Sequence, residues 1–282
     1  MSGTLYVVAT PIGNIDEITT RALEVLAEVD LIAAEDTRTT KLMMNLLGVK
    51  SPKFTSYQKF SEAKKRDSLL SELESGKNIA IVSEAGTPCI SDPGMILVRA
   101  AADRGIPIVG ISGPCAAITA ISISGFPAEP YVYLGFIPKK KNEIMKLLDN
   151  WLGSSIVFYD SPQRIEKTMD LLADNYPAAD VCLCNDMTKR YERIYRGKPA
   201  DVLEEIQANP SAGKGEYTCV LYLSHDTNED SSGFQLSLES CLIDIIVKQN
   251  CDMKEAIKIL SSGKNVTKKE AYAASLRLKE LL

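Results

Sequence analysis

Twelve residues, Ser83 to Gly94, combine two acids, two prolines and two glycines: Ser-Glu-Ala-Gly-Thr-Pro-Cys-Ile-Ser-Asp-Pro-Gly. They follow the apolar run Ile79-Ala80-Ile81-Val82 and precede a helical-looking segment, Met95 to Arg104. A loop between a strand and a helix N-terminus is where open α/β folds place ligands. Small residues let the backbone approach a bound molecule, and the prolines stiffen it. The composition exceeds what a turn needs and points to a ligand cradle carrying two acids, Glu84 and Asp92. A second charged stretch, Glu35-Asp36-Thr37-Arg38, closes the apolar run Leu31 to Ala34. It reads either as a site or as a helix cap, with Asp36 or Thr37 capping a helix to Leu47. The chain has one histidine, His225, in a polar stretch, so imidazole-based catalysis and histidine-rich metal sites are all but excluded.

The elements that must position these loops follow from periodicity. Leu5 to Ala9 reads as a strand ending in a second Pro/Gly turn, Thr10 to Asn14. Ile18, Ala22, Val25, Leu26 and Val29 recur at helical spacing after it. Ile106 to Ile111 is a further strand, leading into the small-residue loop Gly110 to Pro114 and a helix from Cys115 to Ser124. Ala116, Ala117 and Ala120 give that helix a bare flank, suited equally to tight packing on a sheet or to a ligand. Residues 1–128 thus repeat a strand–loop–helix unit, which predicts a mostly parallel sheet. Its Gly/Pro loops should gather at one sheet edge and form one pocket. None matches Gly-x-Gly-x-x-Gly or the P-loop, so the pocket is not expected to be a standard dinucleotide or triphosphate site.

From Glu129 the pattern changes. Tyr131 to Phe136, Ile156 to Tyr159, Val181 to Cys184 and Thr218 to Leu223 read as strands with more alternation, predicting a mixed sheet over 129–225. A polar linker follows, and 234–282 reads as helical only, with capping boxes at Asp252/Glu255 and Thr267/Glu270. From Cys251 onward, seven Lys or Arg face four acids, in a chain of net charge −5. This small basic module suits either RNA contact or simple docking.

The totals set outer bounds. At 282 residues with 45% apolar and 24% charged residues, the chain has the composition of a globular protein with a sizeable core. Its acidic balance argues against broad phosphate-driven nucleic-acid binding. Seven cysteines show no metal spacing and read as thiols rather than disulfides. No run reaches membrane-spanning length and no signal segment opens the sequence, so a cytoplasmic location with no membrane partner is expected.

Taken in order, the segments Tyr6–Asn14, Ala34–Arg38, Ser83–Gly94, Gly113–Ala117, Gly135–Pro138 and Thr188-Lys189 resemble the bacterial 16S ribosomal RNA (cytidine-2′-O)-methyltransferases. These are a branch of the tetrapyrrole methylase superfamily. The resemblance covers nearly the whole chain. It implies an α/β, two-domain tetrapyrrole methylase-like fold with a parallel-rich first domain (1–128), a mixed-sheet second domain (129–225) and a C-terminal helical module (234–282). It also implies an S-adenosyl-L-methionine-dependent enzyme, usually a homodimer, that methylates a cytidine ribose 2′-OH of 16S rRNA in the small ribosomal subunit. The superfamily's cofactor positions fall on Pro11, Ile12, Ala85, Gly86, Thr87, Ile90, Ala116 and Ala117, with Asp160 and Met187 from the second domain. The chain departs from the family's Ser-Tyr-His-Glu-His-Asn-Glu, reading Ser56-Tyr57-Gln58-Lys59-Phe60-Ser61-Glu62.

Methyl transfer to a hydroxyl needs alignment and removal of a proton. Without histidine the expected base is a carboxylate at the pocket mouth: Glu35, Asp36, Glu84 or Asp92. For Glu35 and Arg38 a structural ion pair is an equal alternative. Arg38 and Lys189 are expected to meet ribose or phosphate, and Lys268 and Lys269 to meet RNA. Two other readings fit the same fold: a methylase of tetrapyrrole-like small molecules, and a non-catalytic RNA- or subunit-binding relative. The basic tail favours the ribosomal reading, because a small-molecule enzyme has no use for it.

Overall fold

Four-residue strands form the first sheet, all apolar runs except the more polar edge strand Lys53–Ser56. Its strands are β1 (Leu5–Val8), β2 (Leu31–Ala34), β3 (Lys53–Ser56), β4 (Ile79–Val82) and β5 (Ile108–Ile111). They lie in the order β3-β2-β4-β1-β5, all parallel. The structure is a computed structural model and describes residues 2–50, 52–224, 237–249, 251–262 and 267–281. The central strand β4 is buried at all four positions, and its side chains alternate between two cores. Ile79 and Ile81 pack with Leu69, Leu70 and Leu73 of α3 (Glu62–Glu74) and Leu97 of α4 (Met95–Asp103). Ala80 and Val82 pack with Ala22 and Leu26 of α1 (Thr20–Glu28) and Met44 of α2 (Thr37–Leu46).

The second sheet holds β6 (Tyr131–Phe136), β7 (Ser155–Asp160), β8 (Asp180–Asn185), β9 (Arg193–Gly197) and β10 (Tyr217–Tyr222) in the order β6-β7-β10-β8-β9. Only β6 and β7 run parallel, which gives the mixed sheet that the alternation predicts. One face is covered by α6 (Lys141–Asp149), α7 (Ile165–Asn175) and α8 (Pro199–Gln207). The other is covered by α5 (Ala116–Ser124), whose Ala117, Ala120 and Ile121 pack on Val157, Cys182, Cys184 and Val220. The bare flank of α5 thus lies tight against this sheet, while Ala116 turns to a cavity.

Both sheets belong to one compact unit, Met1–Asp226, and Thr227–Leu282 forms a second. In the second, α9 (Leu238–Gln249), α10 (Met253–Ser262) and α11 (Lys268–Leu281) bury Leu242, Ala256, Ile257, Ala271 and Ala274. Thr267 and Glu270 close a reciprocal cap at 2.8 and 3.3 Å, and Asp252 accepts from the Glu255 N–H at 2.9 Å. The single histidine, His225, falls outside the described residues.

Side-chain caps hold some helix starts, whereas α3 to α7 begin without one. Asp36 caps α2, accepting from the Arg38 and Thr39 N–H groups. Ser61 precedes α3 but its hydroxyl donates to the Gln58 carbonyl, and Arg164, not Asp160 or Ser161, precedes α7. Asp160 instead ends β7 with its carboxylate buried. It accepts from the Thr168 hydroxyl and, at 2.8 Å, from the Ser161 N–H.

Glu62, the acid retained from the family segment that lost its histidines, is buried and accepts the Gly94 N–H at 2.7 Å. It ties the start of α3 to the last residue of the Ser83–Gly94 loop. Glu62→Ala should strand that buried N–H and cost about 1–3 kcal/mol of stability. Glu62→Gln keeps an acceptor oxygen and should cost clearly less; urea unfolding of the three proteins checks both.

Candidate active site

The neighbours β4, β1 and β5 place three loops side by side at the carboxyl edge of the first sheet. Backbone groups bind the first two together: the Thr10 N–H donates to the Gly86 carbonyl at 2.9 Å, and the Gly86 N–H to the Thr10 carbonyl at 3.1 Å. The Thr87 hydroxyl donates to the Pro114 carbonyl at 3.2 Å and joins the third loop. The second sheet closes in from the other side. The Asn14 N–H donates to the Thr188 hydroxyl at 3.0 Å, linking the first loop to the β8–β9 connection.

These loops and the second sheet enclose a cavity of about 380 Å³. Of the residues expected to hold a cofactor, Ile12, Ala85, Gly86, Thr87, Ile90 and Ala116 line it, and so do Asp160 and Met187. Pro11 lies in an adjoining groove shared by Thr10, Thr39, Met43, Glu84 and Lys189, and Ala117 is buried under the second sheet. Of the expected acids, Glu35, Glu84 and Asp92 line the cavity. Asp36 lines neither space. Its carboxylate is engaged by Arg38 at 3.0 Å, and hydrogen bonds from the Arg38 side chain and backbone hold its pKa down at about 2. That is the helix-cap reading of the Glu35–Arg38 stretch, and it leaves Asp36 a poor proton acceptor. The ion pair forms from Asp36, not Glu35, and the Arg38 side chain is largely exposed.

Three carboxyl groups around one space disfavour one another's charge. Asp92 carries the consequence: burial first, then the charges of Glu35 and Glu84, push its pKa up to about 6. The Cys89 thiol nearby is pushed up to about 11, chiefly by burial, and stays protonated at neutral pH. Lys189 is held between Asp186 and Glu216, at 2.8 Å from each. Burial works against its charge, but the two acids prevail and raise its pKa. Lys268 and Lys269 lie exposed at the start of α11 in the other compact unit.

The sequence reading missed part of the lining. Phe136 and Tyr159 come from the ends of β6 and β7, and Asp186 and Gly215 to Thr218 from the β8 and β10 ends. The one signal was that these segments also sit where strands meet loops. Their sheet mixes one parallel pair, β6 with β7, with antiparallel pairs, so sequence order does not say which ends meet the first sheet.

Comparison with known proteins agrees with this arrangement. Residues 4–203 match the family model of the tetrapyrrole (corrin/porphyrin) methylases. The ribosomal RNA small subunit methyltransferase I of Bacillus subtilis (strain 168) is 34% identical over 276 residues, covering 96% of this chain and 94% of that protein. The protein of the same name from Escherichia coli O157:H7 is 35% identical, covering 97% and 95%. Among solved structures, a cobalt precorrin-4 methyltransferase of cobalamin biosynthesis superimposes with a TM-score of 0.55 at 15% identity, covering 78% of this chain and 94% of that one. A uroporphyrin-III C-methyltransferase from Thermus thermophilus gives 0.52 at 17% identity, with coverage of 78% and 94%. The two structures share the fold alone, whereas the sequence relatives share the full length: the chain belongs to the tetrapyrrole methylases and, within them, to the small-subunit ribosomal RNA methyltransferase I family.

Proposed function

We propose that this chain transfers a methyl group from S-adenosyl-L-methionine to the ribose 2′-OH of a cytidine in 16S rRNA, with Asp92 accepting the hydroxyl proton. The observation that carries the proposal is the raised pKa of Asp92, about 6, in a cavity built from the loops that the family motifs occupy. Full-length relatives named as ribosomal RNA methyltransferases support this reading over a tetrapyrrole-like substrate, since the tetrapyrrole enzymes share only the fold.

The residues present fit the cofactor. A cavity of about 380 Å³ is in the range of small-molecule sites. Its loop wall is small: Ala85, Gly86 and Ala116 leave backbone open, and a Cβ on Gly86 would stand 3.4 Å from the Ile12 side chain. Ile12, Ala85, Gly86, Thr87, Ile90 and Ala116 would hold it, with Asp160 and Met187 from the second sheet. When bound, S-adenosyl-L-methionine supplies an electrophilic methyl on a sulfonium.

The chain's own residues do the rest. At pH 7 a carboxyl with a pKa near 6 is mostly ionised yet basic enough to take a proton in the transition state. Burial sets most of that basicity, and the charges of Glu35 and Glu84 add to it. Glu62 fixes the loop end two residues after Asp92 through the Gly94 N–H. The exposed guanidinium of Arg38 is available to a phosphate outside the acidic mouth, and Lys189 fixes Asp186 and Glu216. Lys268 and Lys269 add RNA contacts from the basic C-terminal module. The enzyme works as a cytoplasmic homodimer on the small ribosomal subunit. No helix among the described residues is long and apolar enough to cross a membrane.

In single turnover with saturating donor, Asp92→Asn should slow methylation by about 10²–10⁴. The wild-type rate should fall in acid with a limb near pH 6. Full activity of the variant would move the base elsewhere. The folded state binds the Asp92 proton more tightly than the unfolded chain, so this group's contribution to stability declines as pH rises from 3.8 to about 6. Asp92→Asn should therefore melt above wild type at pH 8 and lose that advantage at pH 4, as calorimetric scans would show. Mass spectrometry of small-subunit RNA from a strain lacking this gene should show one missing ribose methyl on cytidine. The methyl should return with the wild-type gene and not with the Asp92→Asn variant.

A further inference from the structure

We propose that the ring of Phe136 is a stacking platform for the nucleobase of the acceptor nucleotide. The proposal rests on the ribosomal RNA reading of the same site. Phe136 is a large apolar side chain, 66% exposed, on the lining of the cavity that holds Asp92. Its exposure follows from a defined break in the sheet. Along β6 and β7, Tyr133 lies opposite Val157 but Phe136 lies opposite Tyr159, three steps against two. The extra residue is a β-bulge, and it contains Gly135 at φ +65°. Side chains alternate faces along a strand, so an unbroken β6 would send Phe136 to the face opposite Tyr133. The bulge returns it to the side of Tyr133 and Tyr159. A bulge beside a cavity that re-aims one aromatic ring is a device for presenting that ring.

The ring is also held in place. Tyr159 meets Phe136 edge-on, with centroids 5.5 Å apart at 67°. Tyr133 meets Tyr159 in the same way, at 5.3 Å and 70°. The Tyr133 hydroxyl shares a hydrogen bond of 2.5 Å with that of Ser91, the residue before Asp92. An edge-to-face pair orients a ring and covers at most one of its two faces. The aromatic series therefore runs from the exposed ring to Ser91, the residue before Asp92.

The charge of the site selects the occupant. Glu35, Glu84 and Asp92 repel phosphate, so an RNA strand gains nothing there from Coulombic attraction. A base stacking on an aromatic face gains affinity without charge, and unstacked bases are what proteins read in RNA. With the base of the target nucleotide on Phe136, its ribose lies toward the Ser91–Asp92 end of the loop and its phosphates can stay outside the acids.

The test compares Phe136→Ala, Phe136→Leu and Phe136→Trp with wild type, using small ribosomal subunits as substrate and calorimetry for S-adenosyl-L-methionine. Phe136→Ala and Phe136→Leu should raise KM for subunits by on the order of 10–100-fold, with donor affinity unchanged. Phe136→Trp should keep KM near wild type. A wild-type KM in Phe136→Leu would overturn the proposal, because apolar bulk would then suffice. Weakened donor binding with KM for subunits unchanged would place the ring on the cofactor. Loss of the oligomer in sedimentation with KM unchanged would make it a subunit contact; both outcomes overturn the proposal. Failure of wild type itself to methylate subunits would instead strike the ribosomal RNA reading.

Discussion

The reciprocal pair of backbone hydrogen bonds between Thr10 and Gly86 is the constraint on which the site depends. Parallel strands bring their carboxyl ends to one edge, but they do not fix the loops beyond that edge. Two N–H groups that would otherwise need water are paired here, loop to loop, 76 residues apart in sequence. The Thr10 side chain spans the same junction, 3.4 Å from the carbonyls of Ser83 and Gly86. With the first two loops locked and the third tied on by Thr87, the wall of the cavity is rigid backbone carrying small side chains. Such a wall holds a ligand in one pose without first having to order itself.

The acids make the opposite contribution. Glu35, Glu84 and Asp92 crowd one space, and the folded state is less stable at neutral pH for keeping them there. Burial and the same crowding make Asp92 basic. Catalytic groups are often kept at a cost to stability, and the surrounding core must offset it. Here β4, buried at every position between two hydrophobic clusters, anchors the loop that carries two of the three acids.

Much of this was legible in the sequence because the first half is a parallel repeat. In such a repeat, order along the chain fixes which strand ends share an edge, so three Gly/Pro loops could be gathered into one pocket without coordinates. The second sheet offered no such rule. Phe136 read as one more residue of an alternating strand, and only the pairing against Tyr159 exposes the bulge that re-aims it. Asp36 shows a different limit. Cap and base are both acids at a strand–helix junction, and the hydrogen bonds of Arg38 and Thr39 decide between them. Asp160 stands just before a helix in sequence, yet burial at a strand end gives it Thr168 and Ser161 as partners.

Helix α5 precedes residue 128, yet its hydrophobic face completes the core of the second sheet. A chain ended after α5 would present Ala117, Ala120 and Ile121 to water, and one begun at residue 129 would leave Val157, Cys182 and Val220 uncovered. The two sheets are therefore not interchangeable cassettes. Any recombination of this fold with a relative has to cut before Gly113 and carry the helix with its sheet. Both the third loop's exit and the roof of the second core would then be inherited together.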